Sequence, residues 1–217
     1  MDFSTRALFN FLAVALLACT LQAQQGAKPA PSRTAPKPDP GAITDGIYRN
    51  TTFGFTYKTT FGWVDRTKEM TEDSNEDSTP DSNAAKESIL LLAMFEHPPE
   101  ATSDSVNSAV VVAAESAASY PGLRSAEQYF GPLTELTKSK GLAVVNEPYE
   151  FRVGETQLVR GDFSKPLGNL TMYQSTLVVI EKGYVVSFTF VGGSEDEVDE
   201  LIESLSFARK EAPAPHK

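Results

Sequence analysis

The sequence predicts an α+β protein built on a mainly antiparallel β-sheet. Short apolar or alternating runs, which are typical of strands, follow one another along most of the chain, and only two segments repeat apolar residues at helical spacing. Helices that interrupt runs of strands, instead of alternating with them, indicate an α+β fold. The 217 residues, of which 41% are hydrophobic and 22% charged, suffice for one globular domain with tails.

The first strands are predicted from aromatic and aliphatic runs. In residues 53–57 aromatic residues alternate with small or polar ones, so one face of that strand is expected to be buried. Residues 89–95 and 109–114 are almost continuously apolar, which is typical of strands covered on both faces.

The second half of the chain holds five further runs that we interpret as strands: 142–145, 149–153, 157–163, 175–180 and 184–191. The first two are separated by Glu147-Pro148, where we expect the pairing to break. The last two flank Glu181-Lys182-Gly183, which predicts a hairpin whose tight turn uses the positive φ of glycine.

The last helix is predicted to begin at Ser194. Ser194 and Glu197 form a capping-box pattern, in which the serine hydroxyl accepts from the Glu197 amide and the glutamate reaches back. Apolar residues then recur at three- and four-residue spacing and should pack on the sheet: Val198, Leu201, Ile202 and Leu205.

An earlier helix is predicted to begin at Ser125, with Gln128 completing a second capping box. Its apolar stripe consists of Ala126, Tyr129, Phe130, Leu133 and Leu136. Gly141 should end it, and Gly131-Pro132 should kink it or split it in two.

The N-terminus has the pattern of an export signal over residues 1–23. Arg6 precedes an apolar stretch of about 12 residues, which as a helix rises roughly 18 Å and is too short to cross a bilayer. Two cleavage sites compete. Residues 16–19 resemble a bacterial lipobox, in which Cys19 would be acylated, whereas 21–23 are a small-residue signal-peptidase site that would discard Cys19. We therefore expect export to the periplasm, the outer membrane as a lipoprotein, or the cell exterior.

The mature chain is predicted to have three parts. Residues 24–44 contain five prolines and hardly any bulky apolar group, so we expect a disordered linker. Residues 45–209 should form the folded domain, and residues 210–217 a disordered tail.

Charge and cysteine content exclude several functional classes. With 29 acidic and 19 basic side chains the formal net charge is -10, which is unfavourable for binding nucleic acid. One cysteine permits neither a disulfide framework nor a multi-cysteine metal site within one chain.

An acidic segment, 69–81, carries six carboxylates. Asp73, Asn75 and Asp77 match the first three ligands of an EF-hand loop, but Ser78 stands where that loop needs glycine and Ala84 where it needs its bidentate glutamate. We interpret the segment as a solvated, mobile loop and assign no metal site.

Catalytic motifs are not recognised in the sequence. His97 is the one histidine in the predicted domain, and its place beside Pro98-Pro99 is more typical of a surface residue than of a catalytic base. Five aromatic residues from 53 to 63 form an aromatic-rich corner, most of which should be core, with Trp63 foremost; an exposed subset could contact a sugar or a partner.

Two stretches resemble the PsbP-like domain family. The opening resemblance lies in Tyr48-Arg49-Asn50, Phe53-Gly54-Phe55 and Gly62-Trp63, and the closing one in Lys182-Gly183-Tyr184 followed by Ser194 and residues 204–207. The family includes bacterial envelope lipoproteins and the Ran-binding Mog protein. The resemblance covers about residues 46–208 and implies an antiparallel sheet sandwiched between helices.

The resemblance also implies function. Its relatives act mainly as binding or assembly modules, so it implies no catalytic residues and no cofactor. We expect an exported envelope protein that binds an unknown envelope protein or a small ligand. The alternative is a secreted hydrolase that acts on envelope material.

Overall fold

The computed structural model describes residues 38–76, 88–98 and 104–208. Within these ranges the chain forms two antiparallel β-sheets and three α-helices, so the predicted α+β class is confirmed. The strands are Ala42–Thr44 (β1), Ile47–Asn50 (β2), Phe55–Lys58 (β3), Val64–Asp65 (β4), Ser88–Phe95 (β5), Ala109–Ser116 (β6), Ala143–Val153 (β7), Thr156–Leu167 (β8), Leu170–Glu181 (β9), Tyr184–Gly192 (β10) and Leu205–Phe207 (β11). The helices are Thr67–Glu76 (α1), Ala126–Ser139 (α2) and Glu195–Glu203 (α3).

The two sheets differ in size and share one apolar layer. The smaller has the order β1-β2-β3-β11 and the larger β4-β5-β6-β10-β9-β8-β7. Alternate residues of β10 face opposite sides of the larger sheet, so that Val186, Phe188 and Phe190 pack in the cluster with Phe55 of the smaller sheet. The main core therefore lies between the two sheets.

Helices cover both faces of the larger sheet. Val198 and Ile202 of α3 belong to the cluster between the sheets, whereas Tyr129 and Phe130 of α2 pack on Val178 from the opposite face. The sheet is thus sandwiched between helices, as the sequence predicts.

Most strand predictions are confirmed. β6 is buried along almost its whole length, as its continuous apolar run indicates. The hairpin of β9 and β10 pairs Glu181 with Tyr184, so its turn has two residues. Lys182 and Gly183 both have positive φ, 51° and 82°, whereas the sequence pattern assigned that conformation to the glycine alone.

At the predicted break, Glu147-Pro148, the pairing is interrupted but the strand does not end. β7 is one strand from Ala143 to Val153, whose register with β8 shifts on both sides of Asn146. β7 is the last strand of the sheet order, and proline is tolerated in edge strands and bulges because no ladder hydrogen bond is needed from its nitrogen.

The predicted split of the earlier helix, α2, is wrong. α2 runs through Pro132 to Ser139, and Lys140 and Gly141 donate to its last carbonyls, so its end near Gly141 is confirmed. A proline normally disfavours helical conformation in the residue before it, partly by a clash with Cβ. That residue is Gly131, which has no Cβ.

The capping predictions are confirmed in part. Ser194 Oγ accepts from the Glu197 amide at 3.1 Å, but the Glu197 carboxylate accepts from the Gly193 amide instead of reaching back to Ser194. Ser125 occupies the N-cap of α2 without a side-chain cap bond, and Gln128 accepts from Arg124 at 2.7 Å. In both capping boxes the Glu or Gln side chain accepts from the amide of the residue before the N-cap serine, instead of from the amide of the serine itself.

The predicted linker boundary at residue 44 is too late. Residues 42–44 form β1, which pairs with β2. Tyr48 donates to the Pro40 carbonyl at 2.7 Å, and Asn50 donates to that of Asp39 at 2.8 Å. Buried polar partners hold this segment despite its lack of bulky apolar residues; residues 1–37 and 209–217 lie outside the described residues.

The acidic segment is not a loop over its first half. α1 spans Thr67–Glu76, so Asp73 lies in a helix instead of in an EF-hand loop. Met70 packs against the core, and Lys68 lies 3.8 Å from Glu72 at the favourable four-residue spacing. Residues 77–81 lie outside the described residues.

Candidate binding groove

A groove of about 770 Å³ opens between the smaller sheet and α1. One wall is the segment before β2, the other is the first turns of α1, and the floor is the first half of β5. Its main lining residues are Asp39, Gly41, Ile43, Tyr48, Asp65, Lys68, Glu72, Ile89 and Leu91. A cleft of this size with an apolar floor and few polar groups is the default candidate for a binding site.

The wall before β2 is held by close packing at Gly41. A Cβ atom at Gly41 would lie 2.4 Å from the Tyr48 hydroxyl and 2.7 Å from the Arg49 carbonyl oxygen, and its φ is 76°. Only glycine fits this position. The segment before β2 therefore packs directly on Tyr48, whose ring lies between the groove and the core.

The opposite wall is fixed where α1 begins. Asp65 Oδ1 accepts from the amide and the hydroxyl of Thr67, at 2.9 and 2.6 Å. The Thr67 hydroxyl in turn accepts from the Ala93 amide of β5 at 2.9 Å. These bonds hold the start of the helix against the sheet, so the groove is a fixed feature of the scaffold.

The floor of the groove is an edge that β4 does not cover. β4 pairs with β5 only through Phe95 and Met94, and Ile89 to Leu92 line the groove beyond it. The register of β5 with β6 shifts between Leu90 and Leu92, which marks a bulge. Aliphatic residues of β5, Ile89 to Leu92, therefore form the floor of the groove.

The rim of the groove is acidic. A hydrogen bond from the Gly41 amide, followed by one from Thr51, holds the pKa of Asp39 below its usual range, so Asp39 is charged. Asp65 and Glu72 add two carboxylates, and the one lysine, Lys68, lies beside Glu72. Burial raises the pKa of Tyr48 to about 12, so its hydroxyl stays protonated and serves as a structural donor.

Charged side chains of the rim have partners within the protein. Asp39 and Asp65 are occupied by donors of the scaffold, and Lys68 by Glu72. General acid–base catalysis needs a titratable group aimed at a substrate atom instead. In the described ranges no group of three or more His, Cys, Asp or Glu side chains could hold a metal ion.

His97 lies away from the groove. Asn107 accepts from its backbone amide and donates to its carbonyl, both at 2.9 Å, and its side chain is 45% exposed. Its Nε2 atom lies 3.7 Å from Glu96. The structure thus places His97 at a half-exposed strand end, as expected for a surface residue.

The prediction that most of the aromatic-rich corner is core, with an exposed subset, is confirmed in part. Phe53, Phe55 and Tyr57 are buried, and Trp63 is half-buried against the core. Phe61 is fully exposed at the corner of a turn in which the Trp63 amide donates to the Thr60 carbonyl and Gly62 has a φ of 86°. Phe61 does not line the groove. Cys19, the lipidation candidate, lies outside the described residues.

Comparison with known proteins gives structural similarity only. No family model matches the chain, and no curated protein matches it. Among solved structures, the chain is similar to the Ran-binding protein Mog1p of Saccharomyces cerevisiae, with 11% identity over 76% of this chain and 96% of that one and a TM-score of 0.41. It is also similar to LpqN of Mycobacterium tuberculosis, a protein involved in cell envelope biogenesis, with 11% identity over 79% and 87% of the two chains and a TM-score of 0.37.

These similarities are too distant to assign a partner or an activity. None of the helices in the described part of the chain has the length and apolar character needed to cross a membrane.

Sequence reasoning missed the groove. Its walls come from residues 38–43, which the sequence assigns to a linker, and from α1, which it assigns to a loop. Gly41 was one available signal, since a glycine can mark a place where the backbone approaches another group closely. A second signal was the pair Lys68 and Glu72, opposite charges at the four-residue spacing that favours a helix.

Proposed function

We propose that this protein is an exported, non-catalytic binding or assembly module of the bacterial cell envelope, and that the groove holds an extended segment of a partner protein. The observation that carries the proposal is the groove itself: an apolar floor of strand residues under an acidic rim, of which Asp39 and Asp65 are bonded to the scaffold. A groove of this kind favours side-chain and backbone contacts with a peptide chain over bond-making chemistry.

Export is supported by the N-terminal sequence pattern. The anchor, if Cys19 is acylated, would hold the domain at a membrane through residues 20–37. The acidic rim and the net charge of -10 favour a partner with basic residues, because complementary charge speeds and orients association.

Affinity capture from envelope extract tests the proposal, with the full chain as bait. Ile43, which is 39% exposed and lines the groove, is replaced in Ile43→Asp; Phe61, fully exposed outside the groove, is replaced in the control Phe61→Asp. Ile43→Asp should weaken capture of the partner by roughly tenfold, as loss of an interface hot spot does, while Phe61→Asp should not.

Two results would contradict the proposal. Equal capture by both variants would place the contact outside the groove. Hydrolysis of envelope material by the full chain, lost in His97→Ala, would favour the hydrolase instead.

A further inference from the structure

A second, smaller cavity of about 180 Å³ opens at the opposite edge of the larger sheet, between β7 and α3. It is separated from the groove by β6 and β10 in the strand order, so it is independent of the proposed groove contact. Residues that the argument uses are Val145, Asn146, Tyr149, Arg160, Asp162, Glu195 and Asp199.

The floor of this cavity is a buried ion pair whose bonding is complete on the carboxylate side. Asp162 accepts from Arg160 Nε at 2.7 Å, from Ser175 at 2.5 Å, from Asn146 at 3.0 Å and from the Tyr149 hydroxyl at 3.1 Å. Arg160 and Asp162 are only 9% and 7% exposed. The floor is thus rigid, and the charges of this pair offset each other.

The mouth of the cavity carries excess negative charge. Arg160 Nη2 also lies 2.7 Å from Asp199 Oδ1 on α3, and the Asp199 side chain is 56% exposed. Glu195, one helical turn earlier, lines the same cavity and is exposed. The cavity is therefore lined by one guanidinium, which contacts Asp162 and Asp199, and by three carboxylates, of which the two on α3 are open to solvent.

Two partly exposed apolar side chains also stand at the mouth of the cavity. Of the large hydrophobic residues exposed in the described part of the chain, Val145 and Tyr149 lie here, at 40% and 39% exposure. They face the carboxylates of α3 across the cavity. An apolar rim beside open carboxylates matches a side chain that has an aliphatic stem and a cationic head.

We propose that this cavity is a pocket for the lysine or arginine side chain of a partner protein. The head group lies against Glu195 and Asp199, and the stem lies on Val145 and the Tyr149 ring. The volume equals roughly six water molecules, enough for a guanidinium with its methylenes.

The test uses butylguanidinium as the probe, titrated into the full chain and followed by backbone amide NMR shifts. Butylguanidinium should shift the amides of Asn146, Tyr149, Glu195 and Asp199 with a millimolar dissociation constant that weakens with salt. Butanol and butyrate, which share the stem, should leave them unshifted. A response to butanol or butyrate equal to that of the cation would overturn the proposal, as would no response to the cation.

A matched pair of variants locates the contact. Glu195→Gln removes a carboxylate that lines the cavity; Asp196→Asn removes one in the same first turn of α3 that does not. Glu195→Gln should weaken binding roughly two- to fivefold, the size expected of a partly exposed ion pair. Asp196→Asn should weaken it less. Equal weakening would mean attraction to the overall charge and would overturn the pocket.

A further comparison separates a protein side chain from a free amine. The blocked peptide Ala-Arg-Ala should bind more tightly than butylguanidinium, because its backbone adds contact area at the rim that butylguanidinium lacks. Tighter binding of putrescine than of the peptide would contradict a partner protein.

Discussion

Two buried acids in this protein, Asp162 and Glu115, have pKa values shifted in opposite directions. Burial alone raises the pKa of Asp162, but the hydrogen bonds from Ser175, Arg160 and Asn146 outweigh it and hold that pKa below its usual range. Glu115 is equally buried, and its partners are the hydroxyls of Tyr120 and Tyr129. Burial therefore raises the pKa of Glu115 against those two hydrogen bonds. The donors to Asp162 include the charged guanidinium of Arg160, whereas both donors to Glu115 are neutral hydroxyls.

This contrast predicts opposite pH dependence for two conservative variants. Asp162→Asn should lower the free energy of unfolding by about 3 kcal/mol at neutral pH, since it leaves the guanidinium of Arg160 without a buried anionic partner. Asp162 has a lowered folded-state pKa, so its stabilising contribution is present above the unfolded value of about 3.9 and is lost as the pH falls through the folded value. The stability difference between the parent and Asp162→Asn should therefore shrink below about pH 4.

Glu115→Gln should show the reverse trend in the same urea unfolding series. Glu115 has a raised folded-state pKa, so its contribution is fully present below the unfolded value of about 4.3 and is lost as the pH rises. The parent should lose stability relative to Glu115→Gln from acid to neutral pH. Parallel curves for the two variants would contradict both assignments.

At the scale of elements, the approach of α2 to β8 depends on one small residue. A Cβ atom at Gly161 would lie 2.6 Å from Cε1 of Phe130, a ring of α2 that is 1% exposed. The ring fills the space above the strand, so α2 can lie close to the sheet. No hydrophobic pattern indicates this contact, because it joins residues 31 positions apart through the absence of a side chain.

A pair of glycine substitutions measures this contact. Gly161→Ala should lower the free energy of unfolding by about 2 kcal/mol through overpacking. Gly193→Ala, whose Cβ would meet only ordinary contacts at 3.5 Å or more, should change it by less than about 1 kcal/mol. Equal effects in thermal melts would mean that the contact with Phe130 does not set the cost.

At the scale of the whole molecule, the fold begins earlier than composition suggests. Removing residues 38–44 deletes β1 and the partners of Tyr48 and Asn50, so the melting temperature should fall by at least about 4 °C for a loss of roughly 2 kcal/mol. Removing residues 24–37 should leave it nearly unchanged, because their composition offers little apolar surface to bury. A similar drop for both deletions would mean that the longer segment also packs.

The sequence predicts elements well where periodicity and local caps agree. β6, the β9–β10 hairpin and α3 follow from their apolar runs, a turn glycine and Ser194. It fails where partners are distant. Residues 38–44 are held by Tyr48 and Asn50, and Pro148 is tolerated because β7 is an edge strand. Local composition carries neither fact.

The sequence by itself determined the α+β class, most strands and helix boundaries, and the excess of negative charge, because these depend on residue spacing and on counts. Only the tertiary structure decided where the cavities lie and which acids are neutralised. Arg160 meets both Asp162 and Asp199, and the groove joins Gly41 to Ile89, because strand pairing brings distant residues together. Hydrogen bonds and close packing across such distances have no period that a sequence could show.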